Sequence, residues 1–256
     1  GEPSDELMFG KLDKNDIVFL PRHSRGHKIP PDGINYRANI DVLKRVGVTD
    51  IISLSAVGSF RDDLTPGTFV LPDQFIDRTI NRKKSFFGPG LVAHVSMAHP
   101  VCNRLSEKIE GVAKKIGLKI VSGGVYLAME GPQFSTLAES ELYRKWGCDV
   151  IGMTNMPEAK LAREAEICYS TIGMVTDYDC WHPDHENVDV ADIIRVLGAN
   201  ADNARSLVKE VLTSKNNPCS SGCSHALDQA IITAPDARDP KMVKILDAVA
   251  GRVLNN

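Results

Sequence analysis

The stretch Ile172-Gly-Met-Val-Thr-Asp-Tyr-Asp-Cys-Trp181 is an apolar run that ends in two carboxylates, Asp177 and Asp179. The run reads as a buried strand. In an extended backbone, residues i and i+2 point to the same face, so one ligand can meet both acids where the strand ends. Ligands of α/β folds bind in that place, beyond the ends of strands. Two acids so placed suit a partner with hydrogen-bond donors, such as the edge of an adenine. Taken alone, the same pattern also fits two aspartates that merely open a loop.

On either side of this strand, apolar runs of strand character alternate with helix-period segments. Asp16–Leu20, Asp50–Ala56, Phe69–Leu71, Gln74–Ile76, Gly123–Met129, Asp149–Met153 and Cys168–Thr176 read as strands. Tyr36–Val46 reads as a helix with Ala38, Leu43 and Val46 on its apolar stripe. Leu105, Ile109, Val112, Ala113 and Ile116 recur at helical spacing, with Asn103 as the expected cap and Gly117 as the stop. Ala138–Trp146, a helix opening at Pro157, Val188–Leu212 and Asp239–Leu254 complete the helical set. This alternation predicts a single α/β domain over residues 1–256, with a central mixed β-sheet flanked by helices. Thr213–Ala237, rich in Ser, Asn, Pro and Gly, reads as a surface connection rather than a domain boundary.

The 256 residues are 43% apolar, enough to bury a sizeable core. A formal net charge of −3 supplies no global attraction to nucleic acid or to an anionic membrane. No apolar run approaches the roughly 20 residues of a membrane-spanning helix. Gly1-Glu-Pro-Ser-Asp-Glu6 lacks a signal-peptide pattern, so a soluble cytoplasmic protein is expected. Six cysteines are too sparse for a disulfide scaffold. Cys102, Cys148, Cys168 and Cys180 lie in or beside apolar segments and read as buried thiols. Cys219 and Cys223 share the loop Pro218-Cys-Ser-Ser-Gly-Cys-Ser-His225, which leaves open a metal or a strained local disulfide. Only three potential ligands are close together there, and structural zinc takes four.

Other strand ends carry further candidates. Pro21-Arg-His-Ser-Arg-Gly-His27 follows the first strand; Arg22 offers a planar fork of donors suited to phosphate, and His23 can add a donor. Ser53-Leu-Ser-Ala-Val-Gly-Ser59 places Ser55 and the amide of Ala56 where an anion can be held. Glu130-Gly-Pro-Gln-Phe-Ser-Thr136 presents Phe134 as a plate for a planar base. Gly152-Met-Thr-Asn-Met-Pro-Glu158 puts Met153 and Thr154 just before a helix start, where Thr154 and the helix dipole favour a phosphate. Each motif alone also fits a plain structural role, but five strand ends together describe a site for an anion and a nucleobase-like ligand.

Leu20-Pro-Arg-His-Ser-Arg-Gly-His27, Ile34-Asn-Tyr-Arg-Ala-Asn39, Asp73-Gln-Phe-Ile-Asp-Arg-Thr79, Met129-Glu-Gly-Pro-Gln-Phe-Ser-Thr136, Gly152-Met-Thr-Asn-Met-Pro-Glu158 and Thr176-Asp-Tyr-Asp-Cys-Trp181 carry a resemblance. Together they resemble the methylthioadenosine phosphorylase branch of the trimeric purine nucleoside phosphorylases. The likeness runs from the N-terminus to about Leu212, and residues 213–256 diverge. It implies the purine nucleoside phosphorylase-like mixed-sheet fold and a homotrimer, or a dimer of trimers, with active sites near subunit boundaries. The implied reaction is phosphorolysis of methylthioadenosine to adenine and 5-methylthioribose 1-phosphate. Phosphate is then a co-substrate, and no metal, organic cofactor, nucleic acid or membrane is implied.

By matching positions, Arg22, His23, Ser55, Ala56 and Thr154 would hold phosphate. Phe134, Ser135 and Met153 would line the base and ribose. Asp177 would meet the purine N7, Asp179 would support the amino group, and His23 would join them in catalysis. Val190, Ile193 and Ile194 would form the pocket for the methylthio group, and His94 would be donated by a neighbouring subunit. The family pattern also has a first strand and a glycine-rich turn ahead of the position of Gly1, so an incomplete N-terminus is expected. Some thermostable relatives carry closely spaced C-terminal cysteines that pair, which adds weight to the disulfide alternative for Cys219 and Cys223 and leaves their pairing open. His182-Pro-Asp-His185 is read as a loop near the site entrance rather than a metal cluster, because proline breaks the local geometry.

The implied chemistry accounts for these residue types. Breaking the glycosidic bond puts positive charge on the ribose and negative charge on the purine. Phosphate stabilises the first and supplies the nucleophile; an acid at N7 neutralises the second. Asp177 must then hold a proton, although a free aspartate titrates at about 3.9. Desolvation and the neighbouring Asp179 would both raise it. Relatives acting on guanine or hypoxanthine typically carry Glu where Ser135 stands and Asn near Asp177, so a 6-aminopurine is expected here. The alternative within the class is a purine nucleoside phosphorylase of broader or methylthioinosine and inosine specificity. Outside it, the alternative is a catalytically silent nucleoside-binding subunit.

Overall fold

The computed structural model of the protein describes residues 1–184 and 189–255. His185 and Val188 therefore lie outside the described residues. The described strands are β1 (Met8–Leu12), β2 (Asn15–Phe19), β3 (Asp50–Ser59), β4 (Phe69–Leu71), β5 (Gln74–Asp77), β6 (Ile120–Ser122), β7 (Val125–Ala128), β8 (Val150–Gly152) and β9 (Cys168–Asp177). Helices α1 (Tyr36–Arg45), α2 (Asn103–Lys115), α3 (Leu137–Lys145), α4 (Asn155–Glu164), α5 (Val190–Thr213), α6 (Pro240–Ile245) and α7 (Asp247–Leu254) alternate with them.

Seven strands form one mixed sheet in the order β5-β7-β8-β3-β9-β4-β6, the α/β architecture expected. At its centre β3 and β9 run parallel, in register from Asp50 opposite Cys168 to Gly58 opposite Asp177, with an irregularity between Val57 and Gly58. β8 runs antiparallel to β3, with Gly58 opposite Ile151. The segment leaving β8 at Met153 and Thr154 consequently passes beside Ser55 and Ala56. The strand read at Asp16–Leu20 is present as β2, but it pairs only with β1 in a separate antiparallel hairpin. Phe9 and Phe19 of that hairpin are exposed, so it adds nothing to the sheet's core.

Side chains alternate along β9. Tyr169 and Val175 join the cluster built with α1, α4 and α7; Cys168 and Ile172 join the cluster built with α2 and α5. A strand covered on both faces reads as a continuous apolar run, which explains why Cys168–Thr176 was so legible. Each fully buried Leu or Ile in these layers contributes about 1.5–3 kcal/mol relative to exposure.

Local chemistry sets the helix ends. Asn35 accepts from the Ala38 amide at 3.2 Å, and Thr136 with Glu139 forms a capping box. Asn103 is not the cap of α2; Cys102 holds that position without a side-chain bond, and Asn103 is the first helical residue. The expected Asp239–Leu254 helix breaks at Leu246 into α6 and α7. His182 lies 3.3 Å from Asp62 Oδ1.

The cysteine reading changes most. All six cysteines are free, so Cys219 and Cys223 are not joined. His225 faces Asp228 at 3.4 Å instead of the cysteines, while the sulfurs of Cys102 and Cys168 meet those of Cys219 and Cys223. Counting ligands along the loop missed partners brought by α2 and β9.

The C-terminal segment is tied to the core by a buried carboxylate. Glu166 accepts from the Leu227 amide at 3.0 Å and from Arg252 Nε and Nη2 at 2.8 and 2.5 Å. Arg252→Ala strips most of these donors from a buried acid. The expected cost is about 1–3 kcal/mol, seen as a lower urea midpoint at unchanged slope.

Candidate active site

Arg22 reaches from the end of β2 to the central sheet. Its Nε and Nη2 donate to the Glu158 carboxylate at 3.0 and 2.9 Å, and Nη2 also bonds Ser53 Oγ. Nη1 donates to Leu54 O and Thr154 Oγ1, both at 3.1 Å. All five N–H groups of the guanidinium therefore have acceptors inside the protein. This differs from the open phosphate fork expected. The reason is Glu158, which neutralises the buried cation and itself accepts from the Tyr169 hydroxyl at 2.8 Å. Arg22 would contact an anion by exchanging one of its neutral acceptors, Ser53, Leu54 or Thr154.

Neutral hydroxyls gather beside it. Ser55 Oγ lies 3.4 Å from Thr154 Oγ1 and 3.3 Å from the Tyr126 hydroxyl, and it also reaches the Ala56 carbonyl at 3.1 Å. Tyr126 fits because Gly152 has no side chain; a Cβ there would overlap the tyrosine hydroxyl. Thr154 stands at the head of α4 and makes no capping bond with its side chain. His23 stacks on His27 with ring centroids 4.2 Å apart, and its Nδ1 lies 2.9 Å from the Ile29 carbonyl. A carbonyl only accepts, so Nδ1 holds the proton. Burial lowers the His23 pKa against the opposing pull of that carbonyl; in the neutral ring Nε2 is an acceptor.

Asp177 closes β9 beside Gly58. Thr176 Oγ1 donates to its Oδ2 at 2.6 Å, and the Asp179 amide donates to its Oδ1 at 2.8 Å. A Cβ on Gly58 would lie 2.9 Å from Asp177 Oδ1, so that glycine makes room for the carboxylate. Asp179 has φ of +52°. The strand has already ended there, and the two-residue alternation of an extended chain does not bring the acids together. A turn does so instead: Asp177 accepts from the amide two residues on, and Asp179 adopts a left-handed conformation that aspartate tolerates.

Burial raises both carboxyls above the ordinary aspartate value. The Thr176 and Asp179 donors oppose this at Asp177, whereas the charge of Asp177 adds to it at Asp179. The buried Ser140 hydroxyl lacks a full hydrogen bond but lies near enough to Asp179 to ease its ionisation. Ser135, also buried, accepts the Cys180 thiol on its carbonyl at 3.4 Å.

The apolar candidates divide. Phe134 is 41% exposed, so it is not a core aromatic. Met153 packs on Gly131, whose φ of +70° and missing side chain admit it. Val190 and Ile194 are 57% and 65% exposed at the start of α5, so no closed apolar pocket forms around them within the described chain. His94 is exposed and lines a groove of about 810 Å³ with His99, Arg163 and Ser221, a groove that none of the other candidates lines.

The sequence model of the phosphorylase superfamily matches residues 1–213. The chain belongs to the phosphorylase superfamily. It is similar to S-methyl-5′-thioadenosine phosphorylase of Rhodospirillum rubrum, with 62% identity over 257 residues, 99% of this chain and 87% of the relative. The protein of the same name from Geobacter sulfurreducens is 50% identical over 252 residues, 98% of this chain and 88% of its own. Among solved structures, a methylthioadenosine phosphorylase from an Antarctic soil metagenomic library superposes with a TM-score of 0.91 at 44% identity, covering 97% and 88% of the two chains. Methylthioadenosine phosphorylase from Schistosoma mansoni in complex with adenine gives 0.81 at 35% identity, covering 83% and 81%. The mixed-sheet fold implied by the resemblance is the fold observed.

Three residues of the candidate site carry no functional signal in the sequence. Glu158 ends the motif Gly152-Met-Thr-Asn-Met-Pro-Glu158, and a carboxylate near a helix start is a known preference; its partner Arg22 is 136 residues away. Tyr126 stands in the apolar strand β7, where nothing in the sequence separates it from a core aromatic. Arg82, almost fully buried, donates to the carbonyls of Met153 and Glu130, each at 2.6 Å, and of Met156 at 2.8 Å. It thus fastens the two loops that carry Met153 and Phe134.

A raised carboxyl pKa means that the folded chain binds the proton more tightly than the unfolded chain. The resulting stabilisation is complete below the unfolded value of about 3.9 and is lost as pH rises through the raised value. Asp179→Asn, which keeps an acceptor oxygen and tolerates positive φ, removes that loss. Urea unfolding should find the variant more stable than the parent at pH 7, with the difference shrinking as the pH approaches 4.

Proposed function

We propose that this chain catalyses phosphorolysis of 5′-methylthioadenosine to adenine and 5-methylthioribose 1-phosphate. The observation that carries this reading is the half-buried Asp177 carboxyl at the end of β9, its pKa raised by burial, one strand away from the Ser55 and Thr154 hydroxyls beside β3. An acid for a leaving base and donors for an oxyanion thus share one strand end. The names of the relatives point to the same substrate.

The step balances without a cofactor. A phosphate oxygen forms the bond to C1′ as the C1′–N9 bond breaks, and the electron pair passes to the purine. Asp177 gives its proton to N7 and is reprotonated from solvent after release. Asp179 accepts from the 6-amino group, which favours adenine over a base with a carbonyl there. Ser55, Thr154 and the Ala56 amide donate to phosphate, and neutral His23 accepts a phosphate proton through Nε2. Arg22 lends its potential from behind Thr154 and would reach phosphate by exchanging a neutral acceptor of Nη1 or Nη2. Phe134 stacks on the base and Met153 borders the ribose.

The exposed Val190 and Ile194 support a methylthio pocket completed by a neighbouring subunit. His94, exposed and remote from this chain's own acids, fits the role of the residue that neighbour donates within a homotrimer or a dimer of trimers. Phosphate is the co-substrate, and the setting is cytoplasmic purine and methionine salvage.

Free base released from methylthioadenosine, with and without phosphate, tests the reading, with methylthioinosine in parallel. Phosphate-dependent adenine release and little hypoxanthine are expected. A preference for methylthioinosine would overturn the Asp179 assignment, and release without phosphate would overturn phosphorolysis. Asp177→Asn should lower kcat by about 10²–10⁴-fold. Ser55→Ala should mainly raise KM for phosphate, by roughly fivefold for one hydrogen bond.

A further inference from the structure

Four cysteine thiols from separate parts of the chain meet at one point. Cys102 precedes α2, Cys168 opens β9, and Cys219 and Cys223 lie in the loop that leaves α5. Their sulfurs lie within 4.8 Å of one another, and those of Cys102 and Cys219 are 3.8 Å apart. Cys102, Cys168 and Cys223 are buried, Cys219 is half-buried, and all are free. The phosphorolysis described above does not use them. β9 has ten residues, so Cys168 and Asp177 stand at opposite ends of a strand about 30 Å long.

Four thiols converging from all sides is the arrangement of a ligand set. A disulfide would draw two sulfurs to about 2.05 Å and leave the others aside. A tetrahedral zinc ion with Zn–S bonds of about 2.3 Å places its sulfurs about 3.8 Å apart, which is the separation of Cys102 and Cys219. The remaining sulfurs need only small inward shifts. A polynuclear iron–sulfur cluster would hold its cysteines farther apart. Cys219-Ser-Ser-Gly-Cys223 has the spacing of a zinc-ligand pair, and Gly222, at φ +69°, supplies the left-handed turn between them.

The surroundings also fit thiolates. The Leu105 amide bonds Cys102, and the Ser221 hydroxyl lies 3.8 Å from Cys102 Sγ. Arg104 is in hydrogen-bonding range of Cys168, and Arg163 lies near enough to Cys223 to favour its thiolate. Such outer contacts orient metal ligands and offset their charge.

We infer that Cys102, Cys168, Cys219 and Cys223 form a structural zinc site. Loading replaces four thiol protons, which pass to solvent, with one Zn²⁺, and no electron is transferred. The four-sulfur site then carries two negative charges, which Arg104 and Arg163 offset. With all four positions filled by protein there is no open coordination place, so the ion is structural. It fastens the segment after α5 to the start of β9 and the head of α2.

The test is the metal content of the full chain, purified without chelator from zinc-supplemented cells and dialysed against EDTA. One zinc per chain is expected by elemental mass spectrometry. Reconstitution with Co²⁺ should give the intense thiolate charge-transfer band of a tetrahedral sulfur site. Cys219→Ser with Cys223→Ser should lose at least tenfold of the bound zinc and melt at a lower temperature. Cys148→Ser, from a different core cluster, should keep it. A reduced parent protein that takes up no zinc on its addition would overturn the inference. So would an intact mass lower by four hydrogens, the mark of two disulfides. Stoichiometric iron would overturn zinc as the metal. Because the parent protein decides the outcome, a variant that fails to fold cannot rescue the proposal.

Discussion

The parallel pairing of β3 with β9 is the constraint on which the rest depends. It holds the sheet together through its centre, and both faces of β9 are covered by helices. Its register also fixes what stands at each end. At one end Asp177 lies opposite Gly58, where the absence of a side chain leaves room for a buried carboxylate. At the other end Cys168 lies opposite Asp50, beside the remaining three sulfurs. Slipping the register by one residue would turn every side chain of β9 to the other face and dissolve both places at once.

Buried charge is handled in two ways across this molecule. Arg22 is saturated by Glu158 and its neighbours, and Arg82 is held by a ring of carbonyls through its Nη1 and Nη2. These groups hold loops in place, and removing one partner would strand the other in a low-dielectric interior. The Asp177 and Asp179 pair is different. No cation pairs with either acid among the described contacts, and both carboxyls hold their protons more tightly than an exposed aspartate. Titratable groups perturbed by burial with no counter-ion beside them are concentrated at functional sites. In this chain the contrast between Arg22, which has a counter-ion in Glu158, and the two acids, which have none among the described contacts, separates scaffold from candidate chemistry.

Much of this was legible beforehand. The central strand was read almost to its ends, because a run buried on both faces leaves an unbroken apolar signature. The helices were read from their period, and their errors fall at ends and breaks, such as the cap of α2 and the interruption at Leu246, where local geometry outweighs pattern. The candidate hydroxyls Ser55 and Thr154 do come together, since β8 runs against β3. The acceptors that surround Arg22 and the carbonyl that holds His23 Nδ1 were not legible. Sequence shows what a side chain is able to offer, not which neighbour has already taken the offer.

By itself the sequence determined the α/β alternation, the apolar strands, the turn residues and the cluster of chemically apt residue types at strand ends. These follow from periodicity and local propensity, which act over a few residues. Only the tertiary structure decided that Glu158 occupies Arg22 across 136 residues, that a turn rather than strand alternation joins Asp177 to Asp179, and that Cys102 meets Cys219 across 117 residues. The physical reason is the same in each case. Hydrogen bonds and sulfur contacts act over a few ångströms of space, and strand order and register, not chain separation, decide which atoms come within that range.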